Sequence, residues 1–442
     1  MEKTPLQNWI AGRLGVSEAS LTRESLIDYQ LKKLRETLDL AINRSTYYRK
    51  NLSKYPNKLN RLEDLLQLPF TTSEDVRNNP LHFLCVSQDY INRVVTLQSS
   101  GTTGKPKRLY FTKEDQELTI DFFHIGMSTL VGPGDRVLIL LPGQLPGSVG
   151  DLLARALERF RVKAIPHGIV QDPEKTLKIM QEEQVNALVG IPTQVLSLAR
   201  YWGGAINKYQ PQLKSVLLST DYVSQAITRQ LKLSWGCQVY GHYGMTEMGL
   251  GGGVECQALA GYHMREADLY FEIINPTNGE SVPDGEEGEV VFTTLTRVGM
   301  PLIRYRTGDL ARFIPDRCHC GSILRRLSPV KGRVRGVYQL PAGPLTIGEL
   351  DEVLFSVAGV INYQASLSNE NGKDILNIGI FMNHGENGSI FDAIRRNLNT
   401  IPSVYHSEKK GCLGIKLLIL SEQLKSTAAK RTIKDLRKSE ML

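Results

Sequence analysis

The chain has 442 residues, against the usual ~100–200 per domain, so more than one domain is expected. Its 41% hydrophobic and 22% charged residues are ordinary globular usage and argue against a disordered chain, a collagen-like repeat or a coiled-coil rod. The net charge of +7, from 53 basic and 46 acidic residues, is a mild excess without a basic stripe interleaved with aromatics, so neither nucleic acid nor a membrane is an expected partner.

The longest apolar runs, 137–141 and 413–420, fall far short of the ~18 residues of a spanning helix. Met1 opens a polar amphipathic segment without the design of a secretory leader, and the expectation is a cytoplasmic protein. From 26 to 50 apolar residues recur at helical spacing (Leu26, Leu31, Leu34, Leu38, Ile42), which predicts an amphipathic helix. Pro69 biases Leu68 toward extended backbone, and Thr72 or Ser73 can then cap a short helix through Glu74, Asp75 and Val76. From Val94 onward, short β-branched or apolar runs (94–97, 136–141, 162–165, 187–191, 215–218, 238–240) alternate with helical stretches such as 152–160 and 174–183. Such alternation predicts an α/β fold with parallel sheet. After Gly249 the turn signals Asn275-Pro276 and Pro283-Asp284-Gly285 predict hairpins. Beyond Arg333 lies a tail with strands at 377–381 and 415–420 and helices at 390–398 and 430–438, long enough for a small second domain.

The sharpest local signal is Ser99-Ser100-Gly101-Thr102-Thr103-Gly104-Lys105-Pro106-Lys107, directly after the 94–97 strand. Two glycines let the backbone turn tightly so that consecutive amides converge on an anion, and hydroxyls and ammonium groups add donors for polyphosphate oxygens. It is not a Walker A loop, because Pro106 stands where that pattern needs Ser or Thr. The bland alternative is a Ser/Thr/Gly surface hairpin.

This string resembles the phosphate loop of the adenylate-forming superfamily, and the chain around it is most similar to the phenylacetate-CoA ligase branch. The resemblance begins at Leu68-Pro69-Phe70-Thr71-Thr72. It continues through Tyr243-Gly244-Met245-Thr246-Glu247, through 288–295, and through Pro301-Leu302-Ile303-Arg304-Tyr305-Arg306-Thr307-Gly308-Asp309. It implies a large N-terminal adenylate-forming α/β domain with mixed and parallel sheets, residues 1–333, and a small, mobile α+β C-terminal lid, residues 334–442.

The resemblance also implies roles. Ser99, Ser100, Gly101, Thr102, Thr103, Gly104 and Lys105 would hold the ATP phosphates. Glu247 would hold Mg²⁺, Thr246 the α-phosphate, Tyr243 would flank adenine, Asp309 would bind the ribose hydroxyls, and Arg333 would contact the nucleotide near the hinge. On chemistry alone, Glu247 reads as a cap or surface residue, Asp309 equally as a turn residue, and Arg333 as an exposed loop residue. The family's lid also supplies a lysine for adenylation. Here the best register places Ala428 at that position, with Lys430 or Lys425 as replacements if the loop is shifted. Arg335-Gly336 stands in place of an acidic hinge pair, and Leu340-Pro341-Ala342-Gly343-Pro344 replaces a Gly-rich stretch that approaches CoA in relatives. Stretches 143–150 and 191–196 are acid-pocket candidates by position only.

Six cysteines in a chain of this length do not read as a disulfide framework. Cys318 and Cys320 form a Cys-x-Cys-Gly turn, and Cys256 and His263 can supply a second ligand pair from adjacent strands. Three thiolates and an imidazole would close a tetrahedral, structural Zn²⁺ site; reduced thiols without metal are the alternative. His319 could replace His263, though a strand-like turn would point it away. Cys85, Cys237 and Cys412 read as small core residues. The resulting expectation is an enzyme, an AMP-forming acid–thiol ligase that uses ATP, Mg²⁺ and CoA to activate a carboxylic acid, aromatic if it follows the similar branch. The alternatives are transfer to an acceptor other than CoA, and a nucleotide-binding pseudoenzyme with a degenerate lid.

Overall fold

The computed structural model describes residues 1–55, 59–98, 105–204, 211–382, 389–420 and 431–437. Among them no helix is long and apolar enough to cross a membrane. The chain divides into two compact units. The first comprises Met1–Pro133, Leu145–Arg161 and Tyr240–Pro329; the second comprises Gly134–Gln144, Val162–Val239 and Val330–Leu442.

In the first unit the expected long helix is two helices, Arg23–Arg44 and Thr46–Leu52. Ser45 separates them: its extended backbone closes the first helix on the Ala41 carbonyl, and its hydroxyl accepts the Tyr48 N–H as the cap of the second. The first helix buries Leu26, Leu34, Leu38 and Ala41, and on the same face Gln30 donates to the Glu266 carbonyl at 2.8 Å and Thr37 to the Leu295 carbonyl at 3.0 Å. Thr72 caps Ser73–Asn78 through a reciprocal bond with Asp75, the short helix its sequence predicts.

Three antiparallel strands, Leu269–Ile274, Gly288–Thr294 and Tyr305–Ala311, follow the hairpin signals. The central strand is buried at every position, whereas the third alternates, placing Tyr305, Thr307, Asp309 and Ala311 on its buried face. A second antiparallel set pairs Gly253–Glu255 with Tyr262–Met264, and the latter with Arg326–Leu327.

In the second unit four parallel strands lie in the order Ser215–Leu218, Ala187–Gly190, Arg136–Leu140, Lys163–Pro166. The first two of these are buried at every position, the pattern expected where both faces of a sheet are covered. The C-terminal part centres on the antiparallel pair Val360–Glu370 and Lys373–Met382, flanked by the parallel strands Leu413–Ile419 and Ile433–Asp435. The expected helix at 430–438 is therefore in part a strand: Ile433 lies opposite Ala365 and is buried, and pairing with Val360–Glu370 overrides local helix preference. Residue 430 lies outside the described residues. Cys85 and Cys237 are buried as expected, but Cys412 is exposed.

Candidate active site

Glu247 sits in a single helical turn, Thr246–Met248, that Gly249 ends in the left-handed conformation. Its carboxylate is buried, and Oε1 accepts from the Lys107 ammonium and from the Tyr305 hydroxyl, the latter at 3.1 Å. Lys107 opens the strand Lys107–Thr112 and also donates to Ser73 Oγ at 3.0 Å, with Tyr305 OH 3.1 Å away. Burial pushes the Glu247 carboxyl up, but the charge and hydrogen bond of Lys107, joined by its own backbone amide and the Tyr305 hydroxyl, outweigh it and hold the group below the usual carboxylate range. Arg297 fixes the backbone here: it donates to the Glu247 carbonyl at 2.8 Å and the Tyr110 carbonyl at 3.1 Å, while its guanidinium lies 4.3 Å from the Phe111 ring centroid. An ionised carboxylate and an ammonium thus share one dry position.

Two residues further along the buried face of the third strand, Thr307 donates to the Val290 carbonyl at 2.7 Å and accepts the Asp309 N–H at 3.0 Å. Asp309 is itself buried, and its Oδ2 accepts the Tyr243 hydroxyl at 3.2 Å. The Tyr243 ring stacks on Tyr262 at 6.2 Å between centroids. The motif at 68–72 meets the motif at 301–309 directly. Thr71 N–H donates to the Arg304 carbonyl at 3.0 Å, Arg306 N–H to the Thr71 carbonyl at 2.9 Å, and Thr71 Oγ1 to the Ile303 carbonyl at 2.7 Å. Arg304 pairs with buried Glu272 at 2.8 Å and also holds the Leu66 and Leu68 carbonyls.

Of the expected residues the structure pairs Tyr243 with Asp309 and sets Glu247 against Tyr305 of the same strand, all within the first unit, with Thr246 opening the Glu247 turn. Arg333 is exposed and belongs to the second unit. Ser99, Ser100, Gly101, Thr102, Thr103, Gly104 and Lys430 lie outside the described residues. Lys105 is exposed, whereas Lys107, of the same string, carries the contact to Glu247. Lys107 and Tyr305 were legible as members of the quoted motifs but not as partners of Glu247; Arg297 had no sequence signal.

Cys256, His263, Cys318 and Cys320 form a second, fully buried constellation, with their four donor atoms all within 4.8 Å of one another. Cys256 Sγ lies 3.6 Å from Cys318 Sγ, and Cys320 Sγ 3.4 Å from His263 Nε2. A tetrahedral zinc with bonds of about 2.3 Å to sulfur and 2.0 Å to nitrogen would hold its ligand atoms roughly 3.5–3.8 Å apart, so the donor set fits that ion in number and type, and these two separations lie close to its spacing. Gly321, at φ +79°, closes the turn by donating to the Cys318 carbonyl at 2.9 Å, and both thiols face inward while His319 is exposed. His263, not His319, completes the group.

Comparison with known proteins places the chain in a family. The AMP-binding enzyme family is matched over residues 87–296. Phenylacetate-coenzyme A ligase of Aromatoleum evansii is 32% identical over 335 residues, 72% of this chain and 74% of that protein. The Thermus thermophilus phenylacetate-coenzyme A ligase is 29% identical over 80% of this chain and 81% of its own length. A solved 2-hydroxyisobutyryl-CoA ligase in complex with 2-HIB-AMP superposes with a TM-score of 0.79 at 20% identity, covering 93% of this chain and 89% of that one, and shares the fold. The chain belongs to the phenylacetate-coenzyme A ligase family of AMP-binding enzymes.

Proposed function

We propose that this protein joins a carboxylic acid to ATP as an acyl-adenylate, with release of pyrophosphate, and then passes the acyl group to CoA. The observation that carries the reading is the buried Glu247–Lys107–Tyr305 cluster, which keeps a carboxylate ionised away from bulk water. In this reading Glu247 is the residue that would hold Mg²⁺, which when bound compensates negative charge on the triphosphate as the acid approaches. Ser99–Lys105 would take the phosphates, Thr246 the α-phosphate, Asp309 the ribose hydroxyls with Tyr243 holding its carboxylate in place, and Arg333 the nucleotide from the hinge. Lys107 then has two duties: it neutralises Glu247 before nucleotide arrives and can transfer to a phosphate oxygen afterwards. Relatives named for phenylacetate favour an aromatic acid. Residues 334–442 act as the lid, with Lys430 as the replacement for its lysine, and the enzyme works in the cytoplasm.

Cys256, His263, Cys318 and Cys320 hold a structural Zn²⁺; four protein ligands leave no open position, so the ion braces the surrounding turns and takes no part in the chemistry. The altered residues at 340–344 and 428 favour a second reading in which the acyl group goes to an acceptor other than CoA. One experiment separates them. Acid-dependent exchange of labelled pyrophosphate into ATP, measured over a panel of aryl and alkyl acids, is expected in both; acceleration of AMP release by CoA is expected only in the first. No exchange with any acid would overturn the proposal.

A further inference from the structure

The second unit contains a buried charge cluster that the proposed chemistry does not use. Asp221 stands on the turn between the strand Ser215–Leu218 and the helix Gln225–Trp235, reached through Thr220 at φ +77°. Its Oδ1 accepts the Tyr222 N–H at 2.9 Å and its Oδ2 accepts Arg431 Nε at 3.1 Å. Arg431 Nη2 donates to Asp351 Oδ2 at 2.5 Å, and the Tyr363 hydroxyl donates to Oδ1 of the same carboxylate at 2.5 Å. The guanidinium lies 5.0 Å from the Phe355 ring centroid and 5.4 Å from that of Tyr363. The three charged side chains are 16%, 11% and 1% exposed for Arg431, Asp221 and Asp351. Beside them Glu352 accepts the Tyr222 hydroxyl at 2.7 Å and the amides of Gln225 and Ala226 at 2.9 and 3.1 Å, the exposed donors of a helix N-terminus.

The cluster joins two parts of the chain with different attachments. Ile433–Asp435 is paired in parallel with Val360–Glu370, and Asp351 and Tyr363 come from that same C-terminal part, so Arg431 belongs to it. Asp221 instead stands at the carboxyl end of a parallel strand, the edge where open α/β sheets bind their ligands. A planar guanidinium can satisfy two carboxylates at once, and here one belongs to each part. In sequence, Arg431 directly follows Lys430.

We propose that Arg431, acting through Asp221, latches the C-terminal part onto the carboxyl end of the strand Ser215–Leu218 and so positions it for acyl-adenylate formation, with release of this latch preceding acyl transfer. Arg431 is on this account a positioning residue. The inference rests on reading residues 334–442 as a lid. Asp221→Asn tests it, because asparagine keeps the size and the Tyr222 contact and leaves the Arg431–Asp351 pair intact.

Two measurements are read together. Hydrogen exchange of the peptide spanning 222–228 should quicken about tenfold or more, since the Gln225 and Ala226 amides are covered by Glu352 only while the latch is closed. Acid-dependent pyrophosphate exchange should fall about tenfold, while transfer to CoA from supplied acyl-adenylate is undiminished, and Arg431→Lys should lie between wild type and Asp221→Asn. An equal fall in both half-reactions, or unchanged protection of 222–228, would overturn the proposal. If the wild-type protein shows no pyrophosphate exchange, the adenylation reading fails, and amide protection still decides whether the latch exists.

Discussion

Glu247→Gln probes the cluster on which the chemical reading depends. The substitution keeps the side-chain outline and an oxygen for the Tyr305 hydroxyl but removes the charge facing Lys107. With side-chain exposures of 11% for Lys107 and 3% for Glu247, the ammonium is left largely dry, facing a neutral amide where its counter-charge stood and keeping Ser73 Oγ at 3.0 Å and Tyr305 OH at 3.1 Å. Losing one hydrogen bond to a charged group costs about 1.5–3 kcal/mol, and stripping one partner from a fully buried pair about 3–5 kcal/mol. Because Lys107 retains two hydroxyl partners, the expected loss is about 2–3 kcal/mol, measured by urea unfolding at neutral pH. Lys107→Met removes the stranded charge, so the double variant should be about 2 kcal/mol more stable than the sum of the single losses. The pH dependence has a definite sign. The folded carboxyl ionises below its ordinary 4.5, so its stabilisation is present above that value and lost as the pH falls beneath it, and the gap between wild type and Glu247→Gln should narrow there. Pyrophosphate exchange should drop about 100-fold. Single variants whose losses simply add would refute the ion-pair reasoning, and unchanged exchange would remove Glu247 from the chemistry.

Three further outcomes are expected. Purified protein should contain about one zinc per chain, and Cys318→Ser should lower both the zinc content and the melting temperature; wild-type protein free of metal yet equally stable would refute the site. Gly251→Ala should destabilise by about 1–3 kcal/mol, because a Cβ there would lie 2.3 Å from the buried Phe122 ring, and wild-type stability would show that the ring gives way freely. Arg304→Met should cost about 3–5 kcal/mol, since it strands the buried Glu272 carboxylate together with the Leu66 and Leu68 carbonyls; a loss under about 1 kcal/mol would mean that water reaches Glu272.

The parts of this fold that were legible in the sequence are those governed by short-range rules. The parallel strands announce themselves as apolar runs because both of their faces are covered, and Thr72 with Asp75 announces a helix start because a cap needs only residues three apart. The Cys318–Cys320 turn was readable for the same reason, whereas the choice of His263 over His319 is made by the turn itself, which buries both thiols and leaves His319 exposed. What the sequence hid was set by distant partners. Ser45 splits the predicted helix at 26–50 because its hydroxyl caps the next one, and its side chain also donates to the His82 carbonyl at 2.7 Å, 37 residues away. Ile433–Asp435 is a strand because the edge of Val360–Glu370 receives it, although the sequence around it, 430–438, reads as a helix. Arg297 sits 50 residues from Glu247 and carries no local pattern at all.

The spacing inside the motif 301–309 has a mechanical explanation that connects these levels. Along the strand Tyr305–Ala311 side chains alternate, so Tyr305, Thr307 and Asp309 share one face and reach, in turn, Glu247, the Val290 carbonyl and Tyr243. Arg306, on the other face, pairs with Glu289. A slip of one residue would carry Arg306 into the Glu247 cluster and turn Asp309 outward, abolishing both halves of the proposed nucleotide site at once. The register is held against such a slip at the start of the strand, where Thr71 bonds the backbone on either side of Tyr305, Tyr48 OH accepts the Ile303 N–H at 2.9 Å, and Arg304 is anchored on Glu272. The segment 68–72, more than 230 residues earlier in the chain, therefore serves the site without reaching it: it locks the strand whose alternation aims Tyr305 and Asp309. Damage to Thr71 should accordingly reach the chemistry through register, lowering nucleotide affinity and carboxylate organisation together.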